Sequence, residues 1–191
     1  MTATYTDIDI VRKVQQGDTE AFGELMNRYE AKLTRYLGRF LHDDDAVTDV
    51  LQDVLVKAYI NIQSFDENYT FSSWVYRIAH NEALNALKKK KSTPFSWFDP
   101  EALVPYFAYH DKTEEKIDLE VLKKDIEQVL IKLPESYREI LVLYFFEELS
   151  YKEISLVLKI PISSVGVRIN RAKKKAYELV KLETTTIHEY H

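Results

Sequence analysis

No cysteine occurs among the 191 residues. That excludes a disulfide framework, a thiolate metal site and a cysteine nucleophile, and it fits a reducing compartment. Glycine and proline are scarce as well, at four and five, so long helices with short connections are the natural reading. No apolar run reaches the ~18 to 20 residues of a membrane span. The acidic opening MTATYTDIDIVRKVQQGD lacks the apolar core of a signal peptide. The expectation is a cytoplasmic protein without membrane insertion. Enzymatic chemistry is poorly provided for. A helical nuclease or transferase needs clustered carboxylates or a phosphate loop, and the one dense acidic cluster, Asp43-Asp44-Asp45, reads as a helix cap. His42, His80, His110, His188 and His191 show no ligand spacing, apart from His188 and His191, which a helix would set on one face. No catalytic residue, metal or cofactor is expected.

What is present is an ordinary globular balance, 46% hydrophobic and 30% charged residues, with length enough for one domain or two. The net charge of −5 hides a pattern. Residues 1–66 carry 7 basic and 12 acidic side chains, 67–95 carry 5 and 2, 96–127 carry 4 and 9, and 128–191 carry 10 and 8. The balance therefore swings from −5 to +3, back to −5 and on to +2. Segregated charge implies more than one kind of partner: basic segments suit phosphate, and an acidic face suits a basic protein surface.

Helical periodicity opens at Asp18, with Ala21, Phe22, Leu25, Met26, Tyr29, Leu33, Tyr36, Leu37 and Phe40 forming one apolar stripe. After the Asp43–Asp45 cap, Val47, Val50, Leu51, Val54, Leu55 and Ala58 make a second stripe, with Asp49, Gln52 and Asp53 facing away. A loop from Ser64 to Tyr69 leads to a third helix, from Ser72 or Ser73 to about Leu87, ending in Lys88-Lys89-Lys90-Lys91. Cations suit a helix C-terminus, where the macrodipole favours them. Residues 92–116 break the period and hold Pro94, Pro100 and Pro105. This is a linker, yet Phe95, Trp97, Phe98, Tyr106, Phe107 and Tyr109 are too apolar for a free one. Helical spacing resumes at Leu122, stops at Pro134 and restarts there. The fold class expected is all-α: two small helical domains joined by a linker.

Ser150-Tyr151-Lys152-Glu153 is a capping box. It opens a short helix with Ile154, Val157 and Leu158 inward, and Pro161 forbids helix across the turn that follows. Ser163 then caps a longer helix with Val165, Ile169, Ala172, Ala176 and Leu179 inward. Two helices joined by so tight a turn form a helix-turn-helix. Residues 159–181 carry seven basic side chains against Glu178, a balance of +6. A charge run alone is usually a solvated face. Here two caps, a short turn and a basic outer face coincide, and the reading is DNA binding.

LSYKEISLVLKIPISSVGVRINRAKKKAYELV, with the preceding LPESYREILVLYFFEELSYKEI, resembles the promoter-reading helix-turn-helix that ends bacterial sigma factors. The stretch AFGELMNRYE through NALKKKK resembles the N-terminal domain of the same family, and the small size resembles its extracytoplasmic-function (ECF) group. The resemblance implies an N-terminal domain over 1–91, a linker over 92–120, a helix-turn-helix domain over 121–183 and a tail over 184–191. It implies that the chain binds core RNA polymerase through its β and β′ subunits, recognises and helps melt promoter DNA, and meets an anti-sigma factor. Asp49, Gln52, Asp53 and Lys57 match the surface that docks on β′. Tyr69, Phe71, Trp74, Arg77, His80, Asn81 and Lys88 match the part that opens the −10 element, with Tyr76 beside them. Flipped bases need aromatic faces and cations, although Phe71 and Trp74 serve core packing as readily. Ser163, Ser164, Arg168, Arg171 and Lys175 match the recognition helix for the −35 element.

Two positions depart from the family pattern. Lys159 stands where glycine is common at the turn, so it adopts a left-handed backbone or another turn is used. Gly166 stands where a basic residue is common, which removes one contact with DNA. A stand-alone helix-turn-helix regulator is the competing reading, and it leaves the aromatic-basic stretch 69–91 unexplained.

Overall fold

The computed structural model describes residues 5–41, 43–90 and 129–188. Every regular element among them is helical. The N-terminal half holds α1 (Asp7–Gln15), α2 (Thr19–Gly38), α3 (Asp44–Asn61) with a 3-10 turn at Ile62–Ser64, and α4 (Phe71–Lys90). The C-terminal half holds a helical segment at 129–132, then α5 (Glu135–Leu141), which runs into a π-helix at Val142–Phe146, then α6 (Tyr151–Leu158) and α7 (Ile162–His188). The linker aromatics Phe95, Trp97, Phe98, Tyr106, Phe107 and Tyr109 lie outside the described residues, as do Lys91, His42, His110 and His191.

The caps follow the sequence. Asp18 accepts from the Ala21 amide at the start of α2, and Asp43 accepts from the Asp45 amide at the start of α3. The helix α1 carries a capping box of its own, Thr6 with Asp9, and buries Ile10, Val11 and Val14. It is not among the helices expected from the sequence: at nine residues it is short, and aspartate stands in its cap for the usual glutamate or glutamine. The helix α4 begins at Phe71 and continues to Lys90, beyond the Leu87 read from the sequence.

Past Pro134 the chain restarts one residue later than the sequence suggested, with Pro134 itself extended at ψ 141°. The break orphans the carbonyls before it, and buried Arg138 satisfies three of them. Its Nε donates to the Leu130 carbonyl at 2.7 Å, and its Nη2 donates to those of Ile131 at 2.7 Å and Leu133 at 3.3 Å. Ile140 to Leu143 are buried consecutively, more of the circumference than one amphipathic face covers, and there the helix widens to π.

The helix-turn-helix forms as read, with one correction. The Ser150–Glu153 capping box is present, and Lys159 takes the left-handed backbone at φ 53°, ψ 42°, at roughly 1–2 kcal/mol. Ser163 does not cap α7. The helix starts at Ile162, and the Ser164 amide donates to the Pro161 carbonyl at 2.8 Å, because proline's fixed φ already suits a first turn. The last helix runs to His188, past residue 183. One continuous core links both halves, with α4 lying between α3 and α6.

Candidate functional site

Three helix faces carry the residues singled out in the sequence. On α3 the apolar stripe is buried at Val47, Val50, Leu51, Val54 and Ala58 and half-buried at Leu55, which leaves Asp49, Gln52, Asp53 and Lys57 exposed. The outer face is not simply acidic. Val56 and Ile60, 56% and 67% exposed, continue the line of Asp49 and Asp53, with Tyr59 beside them. The sequence signal was available, since these apolar residues fall outside the buried stripe. Lys57 is tied inward, its Nζ 2.5 Å from Glu82 on α4.

On α4 the candidates divide. Trp74, Arg77, Asn81 and Lys88 recur at helical spacing along one stripe that reaches solvent. Tyr69 is exposed just ahead of the helix. Phe71 is 1% exposed and sits in the core, with Tyr29 edge-on at 5.1 Å between ring centroids. Trp74 packs edge-on against Phe65 at 5.4 Å. His80 and Tyr76 are buried on a different face, beneath the C-terminal half, where they meet Glu139 and Glu147. Burial pushes the Tyr76 hydroxyl well above its ordinary range, and the hydrogen bond to Glu147 adds to the rise. Glu147 is itself raised by burial, against the pull of Tyr76, Arg39, Arg35 and Lys32.

On α7 the stripe Ser164, Arg168, Arg171 and Lys175 lies away from the buried Val165, Ile169, Ala172 and Ala176. Ser163, Val167, Asn170 and Lys174 form the adjacent exposed row. Lys175 also pairs with Glu178 at 3.3 Å. Lys173 folds back over the rings of Phe145 and Tyr144, at 5.1 and 5.6 Å from their centroids, so part of the basic run is spent within the domain. A Cβ at Gly166 would lie 3.2 Å from the Tyr151 ring. Tyr151, 40% exposed, covers the surface that a side chain at 166 would use.

Among the described residues no group of three or more His, Asp or Glu side chains is placed to hold a metal ion. Nor is any described helix long and apolar enough to cross a membrane. What the three faces offer is recognition chemistry: an acidic-apolar face, an aromatic-basic face and a basic face.

Two family models match the chain, Sigma-70 region 2 over residues 25–93 and Sigma-70, region 4 over residues 123–175. The chain is 34% identical over 172 residues to the ECF RNA polymerase sigma factor SigW of Bacillus subtilis, covering 86% of this chain and 91% of that one. It is 33% identical over 181 residues to the ECF RNA polymerase sigma-E factor of Escherichia coli K12, covering 91% and 94%. Among solved structures, CnrH in complex with the cytosolic domain of CnrY is similar at a TM-score of 0.66 and 25% identity, over 92% of this chain and 97% of that one. The sigma factor RpoE bound to the anti-sigma factor NepR from Bartonella quintana shares the fold at a TM-score of 0.63 and 21% identity, over 85% and 98%.

Proposed function

The chain belongs to the sigma-70 family, in the extracytoplasmic-function group of RNA polymerase sigma factors, and from that premise we propose how its three faces divide the work. It binds core RNA polymerase, recognises the −10 and −35 promoter elements and helps melt the promoter. Residues 1–91 act as the region 2 domain, 121–183 as the region 4 domain, with 92–120 connecting them and 184–191 as a tail. Asp49, Gln52 and Asp53, joined by Val56 and Ile60, dock on polymerase. Tyr69, Trp74, Arg77, Asn81 and Lys88 hold the single strand of the −10 element, with Phe71 fixing Trp74 from below. Ser163, Ser164, Arg168, Arg171 and Lys175 read the −35 duplex in its major groove.

The observation that carries this division is the coexistence, on one chain, of an exposed acidic-apolar helix face and an exposed basic recognition helix. The first suits a basic protein surface, and the second suits phosphate and base edges. Polymerase and promoter set the compartment as the cytoplasm. The chain directs another enzyme's chemistry and catalyses none itself. Like the sigma factors solved with anti-sigma partners, it is held in check by one.

A pull-down with core polymerase, followed by transcription from a promoter library, tests this. Core polymerase is retained, and the transcribed templates share two sequence elements. Specific duplex binding by the free chain without retention of polymerase would favour a stand-alone regulator. That reading leaves the region 2 match over 25–93 without a role.

A further inference from the structure

The helix α1 belongs to none of the three faces and lies ahead of the region 2 match, which begins at residue 25. Its C-terminal end rests on the connection between α3 and α4. Gln15 Nε2 donates to the Ile62 carbonyl at 2.9 Å and to that of Phe65 at 3.4 Å, while Gln63 Nε2 donates back to the Val14 carbonyl at 3.3 Å. Two glutamines thus tie each segment to the other's backbone. One turn earlier on the same side of α1, Arg12 reaches further along the connection. Its Nε donates to Oε1 of Glu67 at 3.0 Å and its Nη2 to Oε2 at 2.5 Å. This is the two-pronged match of guanidinium to carboxylate, a geometry that fixes direction as well as distance.

Glu67 stands two residues before Tyr69, on a crest from Asp66 to Tyr69 that is exposed throughout. The crest is shaped from within. Oδ1 of Asp66 accepts from the Asn68 amide at 2.9 Å and from its side-chain nitrogen at 2.8 Å, and the Tyr69 amide donates to the Asp66 carbonyl at 3.1 Å. Such local turns set the form of a loop but not where it points. Phe65 anchors one end against Trp74, at 5.4 Å between centroids, and Thr70 caps α4 at the other by accepting from the Ser73 amide at 3.3 Å. Among the described residues, the hydrogen bonds that reach the crest from another element come from Arg12. The two side chains are 54% and 38% exposed, and a pair so exposed adds little to global stability. Its consequence is local: it decides the direction of the crest.

We propose that Arg12 and Glu67 are positioning residues for the −10 element. The pair holds the crest so that Tyr69 meets the single strand in register with Trp74 and Arg77 on α4, and the choice of base at Tyr69 depends on that register. The contact is organised before the strand arrives, so none of its ordering has to be met on binding. The proposal rests on reading Tyr69 as part of the strand-holding face.

The test uses holoenzyme reconstituted from the full chain and core polymerase. Transcription is measured on a promoter recovered from the library and on templates with each −10 or −35 base changed singly. Arg12→Gln and Glu67→Gln change the charge in opposite senses, and each removes the pair. Both should lower discrimination among the −10 templates on the order of tenfold, the scale of one misplaced base contact. Core polymerase binding and −35 discrimination should stay as in the wild type. The exchanged variant, Arg12→Glu with Glu67→Arg, should recover most of the lost discrimination. A simple charge effect would instead move the two single variants in opposite directions on every template alike, and that result overturns the proposal. So does wild-type discrimination in either single variant, a loss of core binding, or an exchanged variant as poor as the single ones. Both positions are exposed, so the substitutions should leave the unfolding temperature near that of the wild type; should the exchanged variant not fold, the two single variants decide. A wild-type holoenzyme indifferent to the −10 bases would overturn the strand-holding reading itself, an outcome distinct from variants that discriminate as well as the wild type.

Discussion

Gly166 shows how one missing side chain is built around. A glycine inside a helix ordinarily costs about 1 kcal/mol against alanine, so its presence on the recognition helix needs a reason. The Tyr151 ring supplies one, at 3.2 Å from where a Cβ would stand. That ring is in turn held by Tyr144, with centroids 5.6 Å apart. An alanine at 166 gains helix propensity and forces the ring aside by a few tenths of an ångström. Gly166→Ala should therefore change stability by less than about 0.5 kcal/mol in the wild type but stabilise by about 1 kcal/mol in a Tyr151→Ala background. A double-mutant cycle by denaturant unfolding measures the difference. Simple additivity would remove the packing account of this glycine.

At the scale of the element, α3 is buried on one side and open along the other. Asp49, Gln52, Asp53, Val56 and Ile60 present charge and apolar surface together. Substitutions at such exposed positions usually move stability by no more than about 0.5 kcal/mol, so they report on docking rather than folding. Val56→Ser with Ile60→Ser, and separately Asp49→Lys with Asp53→Lys, should each weaken core polymerase binding about tenfold or more, for a loss of about 1.4 kcal/mol. The unfolding temperature should stay near that of the wild type, and duplex binding should be spared. Titration of labelled core polymerase decides, and undiminished affinity in both variants would show that another face docks. Lys57 is a poor probe of this surface, because its ammonium is committed to Glu82 at 2.5 Å and its loss would act through the packing of α3 on α4.

For the whole molecule, the seam between the halves carries two glutamates that titrate in opposite senses. Burial raises Glu147 above the ordinary 4.5, against Tyr76, Arg39, Arg35 and Lys32, which pull it down. Burial also pushes Glu153 up, but hydrogen bonds from Thr70, Ser150 and Ser72 outweigh it and leave the carboxyl below 4.5. The raised group opposes the fold when charged. That cost is relieved as pH falls through its raised value toward 4.5. The depressed group contributes fully above 4.5, and its contribution is lost as pH falls through its lowered value. Unfolding temperature should thus rise on mild acidification and fall again below about pH 4.5. Glu147→Gln should flatten the upper arm and Glu153→Gln the lower. Profiles identical to the wild type in both variants would show that neither carboxyl governs the seam.

Much of this protein is local and was legible as such. The caps at Asp18, Asp43 and Ser150, the apolar stripes of α2 and α3, and the turn forced by Pro161 depend on residues within a few positions of one another. Helical periodicity and side-chain capping are short-range physics, and they carried the helix-turn-helix and the outer faces of α3 and α7 with them. The family resemblance, carried by those same residues, led to the function. The short helix α1 escaped because its apolar positions, Ile10, Val11 and Val14, span little more than one turn and its cap is an unusual one. Tertiary structure alone decided the second face of α4. Ser72, Tyr76 and His80 at helical spacing look like any solvated polar stripe, and nothing near them in the chain says otherwise. Their partners lie far off: Glu153 is 81 residues from Ser72, Glu147 is 71 from Tyr76 and Glu139 is 59 from His80. A hydrogen bond between such distant groups leaves no periodic mark on either segment, because it forms only where the rest of the fold has already brought them together.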